Sequence, residues 1–370
     1  MARNPDVIVV GGGIVGCAIA HRLAREGLAV TVLERGALGR EASWAAGGIL
    51  TPVHLAEYPG PLAELCAASV RLYPGLIQEL RTASSVDPEY RVTGFLIVER
   101  DGAEEESNRT LEEWKRKNGQ PVERLSREET HARQEGLAPS VRGALLLPDI
   151  AQVRNNRMAP ALAEAARKRG VEFRTETPVT GFLRVPGRVN GVKTARGDLF
   201  AGTTVLAAGS WSGELLRPLG LALEVKPVKG QMLLTEAAPD LLRHTIQGGD
   251  AYLIPRADGK ILIGSTLEDA GFDKRVTLDA VGELSRKAEG ILPGIGRLPL
   301  VTSWAGLRPS TPDRLPYIGR APMEGLIAAT GHFRNGILLA PVTAELVAEI
   351  LAGRPPSVPL DPFRPDRDAC

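Results

Sequence analysis

The stretch Asp6 to Val10 is a short, unbroken apolar run rich in β-branched residues, the pattern of a strand buried on both faces. Gly11-Gly12-Gly13 breaks it. From Ile14 to Glu26 the apolar positions Val15, Ile19 and Leu23 recur every four residues, with Arg22, Arg25 and Glu26 on the other face, so a helix is predicted. Gly27 stops it. A second apolar run, Leu28 to Leu33, ends at Glu34. Further helices are predicted over Glu57–Arg81 (Leu62, Leu65, Leu72, Leu76, Leu80, across Pro74), Glu104–Asn118, Val153–Gly170, Asp279–Ile291 and Pro341–Leu351. Strands are predicted over Gly94–Val98, within Gly181–Leu206, at Thr203–Ala207 and over Gly325–Thr330. Leu223–Leu234, Ala251–Pro255 and Lys260–Gly264 alternate or run apolar in the manner of an antiparallel sheet. The proline-rich end, Arg354 to Pro365, reads as a terminal extension. The charged stretch from Glu104 reads as a solvated helix face without a function.

Composition narrows the class. At about 150 residues per domain, 370 residues suggest two domains. Forty-five basic and 44 acidic residues leave a charge of +1, which argues against a nucleic-acid binder. Cys17, Cys66 and Cys370 are too scattered for a disulfide framework or a zinc site, which points to a reducing, cytoplasmic setting. The five histidines show no H-E-x-x-H spacing, so no metal is expected. No apolar run reaches the length of a membrane span, and the first residues read as mature structure rather than a targeting segment.

The glycines at Gly11, Gly13 and Gly16 stand in the register G-x-G-x-x-G between a strand and a helix. Gly11 permits the tight turn, Gly13 admits a pyrophosphate to the backbone, and Gly16 lets helix and strand pack closely. The helix N-terminus, with Ile14 and Val15, offers N–H groups to phosphates. Glu34 stands at the end of the second strand, beside Arg35, where a carboxylate accepts from ribose hydroxyls and disfavours a 2′-phosphate. A dinucleotide other than NADP is therefore expected. The segment Gly39 to Leu50 carries Ser43, Ala45, Ala46, Gly47, Gly48 and Ile49, small enough to let a flat ring system approach the backbone. A second strand runs into Ala208-Gly209-Ser210-Trp211. A third runs into Gly331-His332-Phe333-Arg334-Asn335-Gly336-Ile337, where a glycine-flanked helix start again presents N–H groups.

These segments, with Tyr252 to Arg256 (YLIPR) and Trp304 to Gly319 (WAGLRPSTPDRLPYIG), stand in the order found in the D-amino-acid oxidase family of FAD-dependent oxidoreductases. The chain resembles that family along nearly its whole length, and within it the bacterial glycine oxidases associated with thiamine biosynthesis. The resemblance implies an α/β fold: a Rossmann-like FAD-binding domain (1–84, 148–217 and 318–370) interleaved with an α+β substrate domain on an antiparallel sheet (85–147 and 218–317). It implies oxidation of glycine or another small amine, such as sarcosine or a small D-amino acid, to an imine and oxo acid. Ammonia and hydrogen peroxide are released, or the imine passes to a thiazole synthase. Dioxygen is then the second substrate, and a homo-oligomer is expected. The FAD contacts implied are Gly11, Gly13, Ile14, Val15, Gly16, Glu34, Arg35, Ser43, Ala45, Ala46, Gly47, Gly48, Ile49, Val179, Gly209, Trp211, Gly306, Arg334, Asn335, Gly336 and Ile337. With no cysteine between Cys66 and Cys370, the FAD is expected to be noncovalent.

By the same resemblance Arg308 clamps the substrate carboxylate, Tyr252 adds a hydrogen bond to it, and Arg334 lies near flavin and substrate. The competing readings are a salt bridge from Arg308 to Asp313, a core tyrosine at Tyr252 and a structural ion pair at Arg334. Leu267 is either an apolar wall limiting the substrate side chain or plain core. His332 is read as a flavin contact or structural residue, not a base. The rival functions are a D-amino-acid dehydrogenase with another acceptor, a sarcosine oxidase-like demethylase, an enzyme acting on hydroxy acids or a modified tRNA base, and a flavin-binding module without activity.

Overall fold

The computed structural model describes residues 4–51, 60–221 and 223–367. The Glu57 start of the first long helical pattern and Cys370 lie outside these residues.

The run Val7–Val10, fully buried, forms the middle of a six-stranded sheet. Its neighbours are Thr203–Leu206 on one side and Val30–Leu33 on the other, both parallel. Leu326–Thr330 and Glu172–Arg174 extend the sheet in parallel, and Tyr317–Arg320 closes one edge antiparallel. Strands from the start, middle and end of the chain thus meet with their C-terminal ends on one side, where ligands bind in open α/β sheets. A second sheet of eight strands runs in the order Leu300–Ser310, Lys226–Thr235, Ile261–Gly264, Ala251–Pro255, Thr245–Gly248, Phe95–Glu99, Gly143–Leu147 and Glu123–Leu125. All its pairings are antiparallel except Thr245–Gly248 against Phe95–Glu99.

The first helix, Ile14–Arg25, lies against the helices Asn155–Lys168 and Gly336–Ala352. Two glycines allow its entry. Gly11 has φ +108°, and a Cβ there would lie 2.4 Å from the Ala207 carbonyl oxygen. A Cβ on Gly16 would lie 1.9 Å from the Gly11 carbonyl oxygen. Gly16 therefore serves helix-to-strand packing and does not itself line the cavity described below.

The last long helix starts at Gly336, not at Pro341 as predicted. Proline removes an N–H and so frees a carbonyl one turn back. Here Ile337 O accepts from the Tyr73 hydroxyl and Leu338 O from Ser69 Oγ at 2.6 Å, both on the helix Pro61–Ala83. Unsatisfied, each buried carbonyl would cost about 1–3 kcal/mol. The C-terminal stretch is not a loose extension either. Val358 and Phe363 are buried in the core, and the Arg367 guanidinium donates to both Asp313 carboxylate oxygens at 2.8 and 3.0 Å.

Candidate active site

A cavity of about 600 Å³ lies where the two sheets face each other, within the usual range for small-molecule sites. One end is the glycine turn with Glu34. Glu34 Oε2 accepts from Gly12 N at 2.7 Å and Oε1 from Gly36 N at 2.9 Å. The carboxylate is thereby fixed at the strand end, and each oxygen keeps lone pairs for a ligand hydroxyl. Arg35, alongside, stacks 3.4 Å above the Trp211 ring and pairs with Glu41 at 2.7 Å.

The small-residue segment forms the wall between the two ends. Two residues that sequence reasoning left without a role hold it. Arg256, at the end of the YLIPR motif, donates to Gly47 O at 2.8 Å, Asn155 Oδ1 at 3.1 Å and Gln152 Oε1 at 3.2 Å. Asn155 donates to Ser43 O at 3.1 Å and Trp44 O at 2.6 Å. Burial lowers the Arg256 pKa to about 10. From the facing sheet, Trp304 Nε1 donates to Ala45 O at 3.1 Å, and the lack of side-chain bulk at Gly306 lets that strand sit on Ala45.

The other end is built around Arg308, which lies across Gly230. Its Nη1 donates to Thr266 O at 3.1 Å and Lys229 O at 3.3 Å, and its Nη2 to Ser265 Oγ at 2.6 Å. Asp313 is taken by Arg367, and no carboxylate among the described residues forms an ion pair with Arg308. Burial pushes its pKa down, with Tyr252 and Glu268 acting in the opposite sense. Of the guanidinium's five N–H donors, three are committed to neutral chain acceptors, and its charge remains uncompensated by a direct partner. Tyr252 lines the cavity, its hydroxyl 3.5 Å from Met232 Sδ. Arg334 also lines it, with its guanidinium carbon 5.3 Å from the Phe333 ring centroid and no ion pair among the described residues. Burial lowers its pKa to about 10.

The cavity wall contains every expected site residue except Gly16 and Asn335. Asn335 sits buried at the N-cap of the last helix, behind the wall. Leu267 is neither wall nor core. It is 48% exposed, while Thr266 beside it is buried and bonded to Gln231 and Glu268. Gly230, Met232 and Ser265 belong to the wall but escaped sequence reasoning. Their strands were legible only as apolar runs. Among the described residues no group of His, Cys, Asp or Glu side chains could hold a metal ion, and no helix is long and apolar enough to cross a membrane.

His332 is locked rather than poised. Its Nε2 lies 3.0 Å from Thr343 Oγ1, and burial drops its pKa from 6.5 to about 4. Between those values the unfolded chain binds the proton and the folded chain does not, so stability falls as pH drops from about 6.5 to about 4. The full loss from His332 is on the order of 3 kcal/mol. His21, also lowered chiefly by burial, adds in the same direction. Urea titrations at pH 7 and pH 4.5 should show a drop in midpoint that shrinks in His332→Asn. An equal drop in that variant would place the acid sensitivity elsewhere.

Residues 6–350 match the DAO family, FAD dependent oxidoreductase. Glycine oxidase of Pseudomonas aeruginosa is 42% identical over 361 residues, 97% of this chain and 98% of that protein. The bifunctional protein ThiO/ThiG of Trichormus variabilis is 37% identical over 350 residues, 94% of this chain but 52% of its own length. Among solved structures, glycine oxidase from Geobacillus kaustophilus superposes with a TM-score of 0.95 at 34% identity, over 99% of this chain and 100% of that one. The match runs through every segment that the fold brings to the cavity wall, and the chain belongs to the DAO family of FAD-dependent oxidoreductases.

Proposed function

We propose that the protein is an amine oxidase of the glycine oxidase type, acting on glycine and other small amines that carry a carboxylate. The observation that carries this reading is Arg308, a half-buried guanidinium with no acidic partner among the described residues, in the same cavity as the G-x-G-x-x-G turn. The residues present fit FAD. The glycine turn and Glu34 suit the adenosine diphosphate part, and the small-residue segment with Gly306 and the helix start at Gly336 suits the ring system. Among the described residues no cysteine lines the cavity, and Cys17 and Cys66 are buried elsewhere, which favours noncovalent attachment. The segments that build the six-stranded sheet form the cofactor domain in this reading, and the eight-stranded sheet forms the substrate domain.

FAD, when bound, supplies the acceptor for the hydride and its two electrons. The chain's own part is binding and orientation. Arg308 takes the carboxylate on its remaining N–H groups, and a two-bond contact fixes the plane of the carboxylate. Tyr252 and Met232 bound the space beside it. Holding the α-carbon in one pose and excluding water supplies most of the protein's contribution. The amine must arrive neutral, and His332, neutral and bonded to Thr343, is not placed to remove its proton. Dioxygen as acceptor, peroxide and ammonia as products, a cytoplasmic location and a homo-oligomeric state complete the proposal. Delivery of the imine to thiazole synthesis is supported by the ThiO/ThiG name of a relative.

Anaerobic mixing of the purified yellow protein with glycine, sarcosine and D-alanine should bleach its visible absorbance, and admitting oxygen should restore the colour and release peroxide. Bleaching by hydroxy acids alone would overturn the amine assignment. Recolouring by a quinone but not by oxygen would make the protein a dehydrogenase.

A further inference from the structure

We propose that Glu268, paired with Lys229, is the positioning residue of the Arg308 clamp. The proposal rests on the carboxylate-binding role of Arg308 given above. Arg308 gains its orientation from acceptors on two separate segments, Lys229 on the strand Lys226–Thr235 and Ser265-Thr266 after the strand Ile261–Gly264. Glu268 ties these neighbouring segments together beyond the ladder that pairs Met232, Leu233 and Leu234 with Gly264, Ile263 and Leu262. Its backbone exchanges two hydrogen bonds with Lys229, Lys229 N to Glu268 O at 2.9 Å and Glu268 N to Lys229 O at 3.0 Å. The carbonyl of Lys229 thus receives both Glu268 N and Arg308 Nη1.

The side chain adds a second tie. Glu268 Oε2 lies 3.2 Å from Lys229 Nζ, a side chain only 3% exposed. Oε1 accepts from Gln231 Nε2 at 2.7 Å and from Thr266 Oγ1 at 2.5 Å. Thr266 is the residue whose carbonyl receives Arg308. A buried ammonium needs this carboxylate, and an unpaired one would move toward water and drag the strand with it. The arrangement keeps the Glu268 carboxylate from pairing directly with Arg308, although its charge still acts on the guanidinium. Glu268 spends its oxygens on Lys229, Gln231 and Thr266, so the guanidinium is held by neutral groups and stays open to a carboxylate ligand.

The test uses holoenzyme at saturating FAD, with acetate as the probe and the perturbation of the visible absorbance as the readout. The set is wild type, Glu268→Gln, Arg308→Ala and the double variant. The expected result is a Kd for acetate raised about tenfold in Glu268→Gln, the scale of a coupled contact, with FAD retention unchanged. In the Arg308→Ala background, Glu268→Gln should add nothing further. Full additivity, or unchanged acetate binding in Glu268→Gln, overturns the positioning role while leaving Arg308 as the clamp. Unchanged acetate binding in Arg308→Ala overturns the clamp and the positioning role with it. Should Glu268→Gln fail to fold, Lys229→Met with Glu268→Gln removes both charges and carries the same comparison.

Discussion

Replacing Arg308 by alanine raises KM for glycine or sarcosine roughly hundredfold or more, because two hydrogen bonds to a charged group vanish at once. The size follows from burial. A carboxylate entering this end of the cavity leaves water, and the Arg308 guanidinium meets it with two N–H donors in one plane. Tyr252 has one hydroxyl, and Ser265 is already engaged with Arg308. The substituted amine also loses its fixed pose, so kcat falls as well as affinity. Arg308→Lys should lie between, since an ammonium keeps the charge but cannot hold both carboxylate oxygens in one plane. Steady-state kinetics on FAD-saturated enzyme checks this. A KM within a factor of about three of wild type, against a scale of 1.5–3 kcal/mol for each charged hydrogen bond, would remove Arg308 from substrate binding.

The nucleotide end of the cavity was legible because local pattern and chemistry agree there. A buried strand, a glycine turn, an amphipathic helix and an acid all fall within the first 34 residues, and the structure keeps each within one or two residues of its predicted place. The substrate end was legible only in its arginine and tyrosine. What holds them comes from residues far apart in sequence. Gln231 is bonded to Thr266, 35 residues on, and Arg256 to Gly47, 209 residues back. Such pairings leave no periodic trace in the chain. The parallel contact of Phe95–Glu99 with Thr245–Gly248 is of the same kind, since nothing in either run names its partner. The late helix start predicted at Pro341 failed for a related reason. Proline suits a helix start because its missing N–H costs nothing in the first turn, and here the carbonyl it frees within the helix, Ile337 O, is reached by Tyr73 from another helix, with Ser69 bonded to the next one.

Gly16→Ala should yield a colourless protein that does not retain FAD and that melts well below wild type. A methyl group there would lie 1.9 Å from Gly11 O and 3.1 Å from Gly11 C. Both are backbone atoms of the turn, so no side chain can swing aside to relieve the contact. The strain moves either the helix away from the strand or the turn away from the helix start. The first option opens the core around Val9, with a cost of about 3 kcal/mol or more. The second displaces Gly12 N from Glu34, bonded at 2.7 Å, and Ile14 N from Ser43 Oγ, bonded at 2.9 Å. Either way the N–H groups offered to phosphate and the carboxylate offered to ribose lose their common geometry. Gly75→Ala provides the matching control. That glycine is exposed within the helix Pro61–Ala83, and a Cβ there meets nothing within 4 Å. It should remain yellow and gain up to about 1 kcal/mol from helix propensity. Visible absorbance after loading with FAD and removing the unbound cofactor, together with a melting curve, separates the two variants. A yellow Gly16→Ala protein with wild-type melting would mean that the helix can shift without cost, and that the turn is not what holds the cofactor.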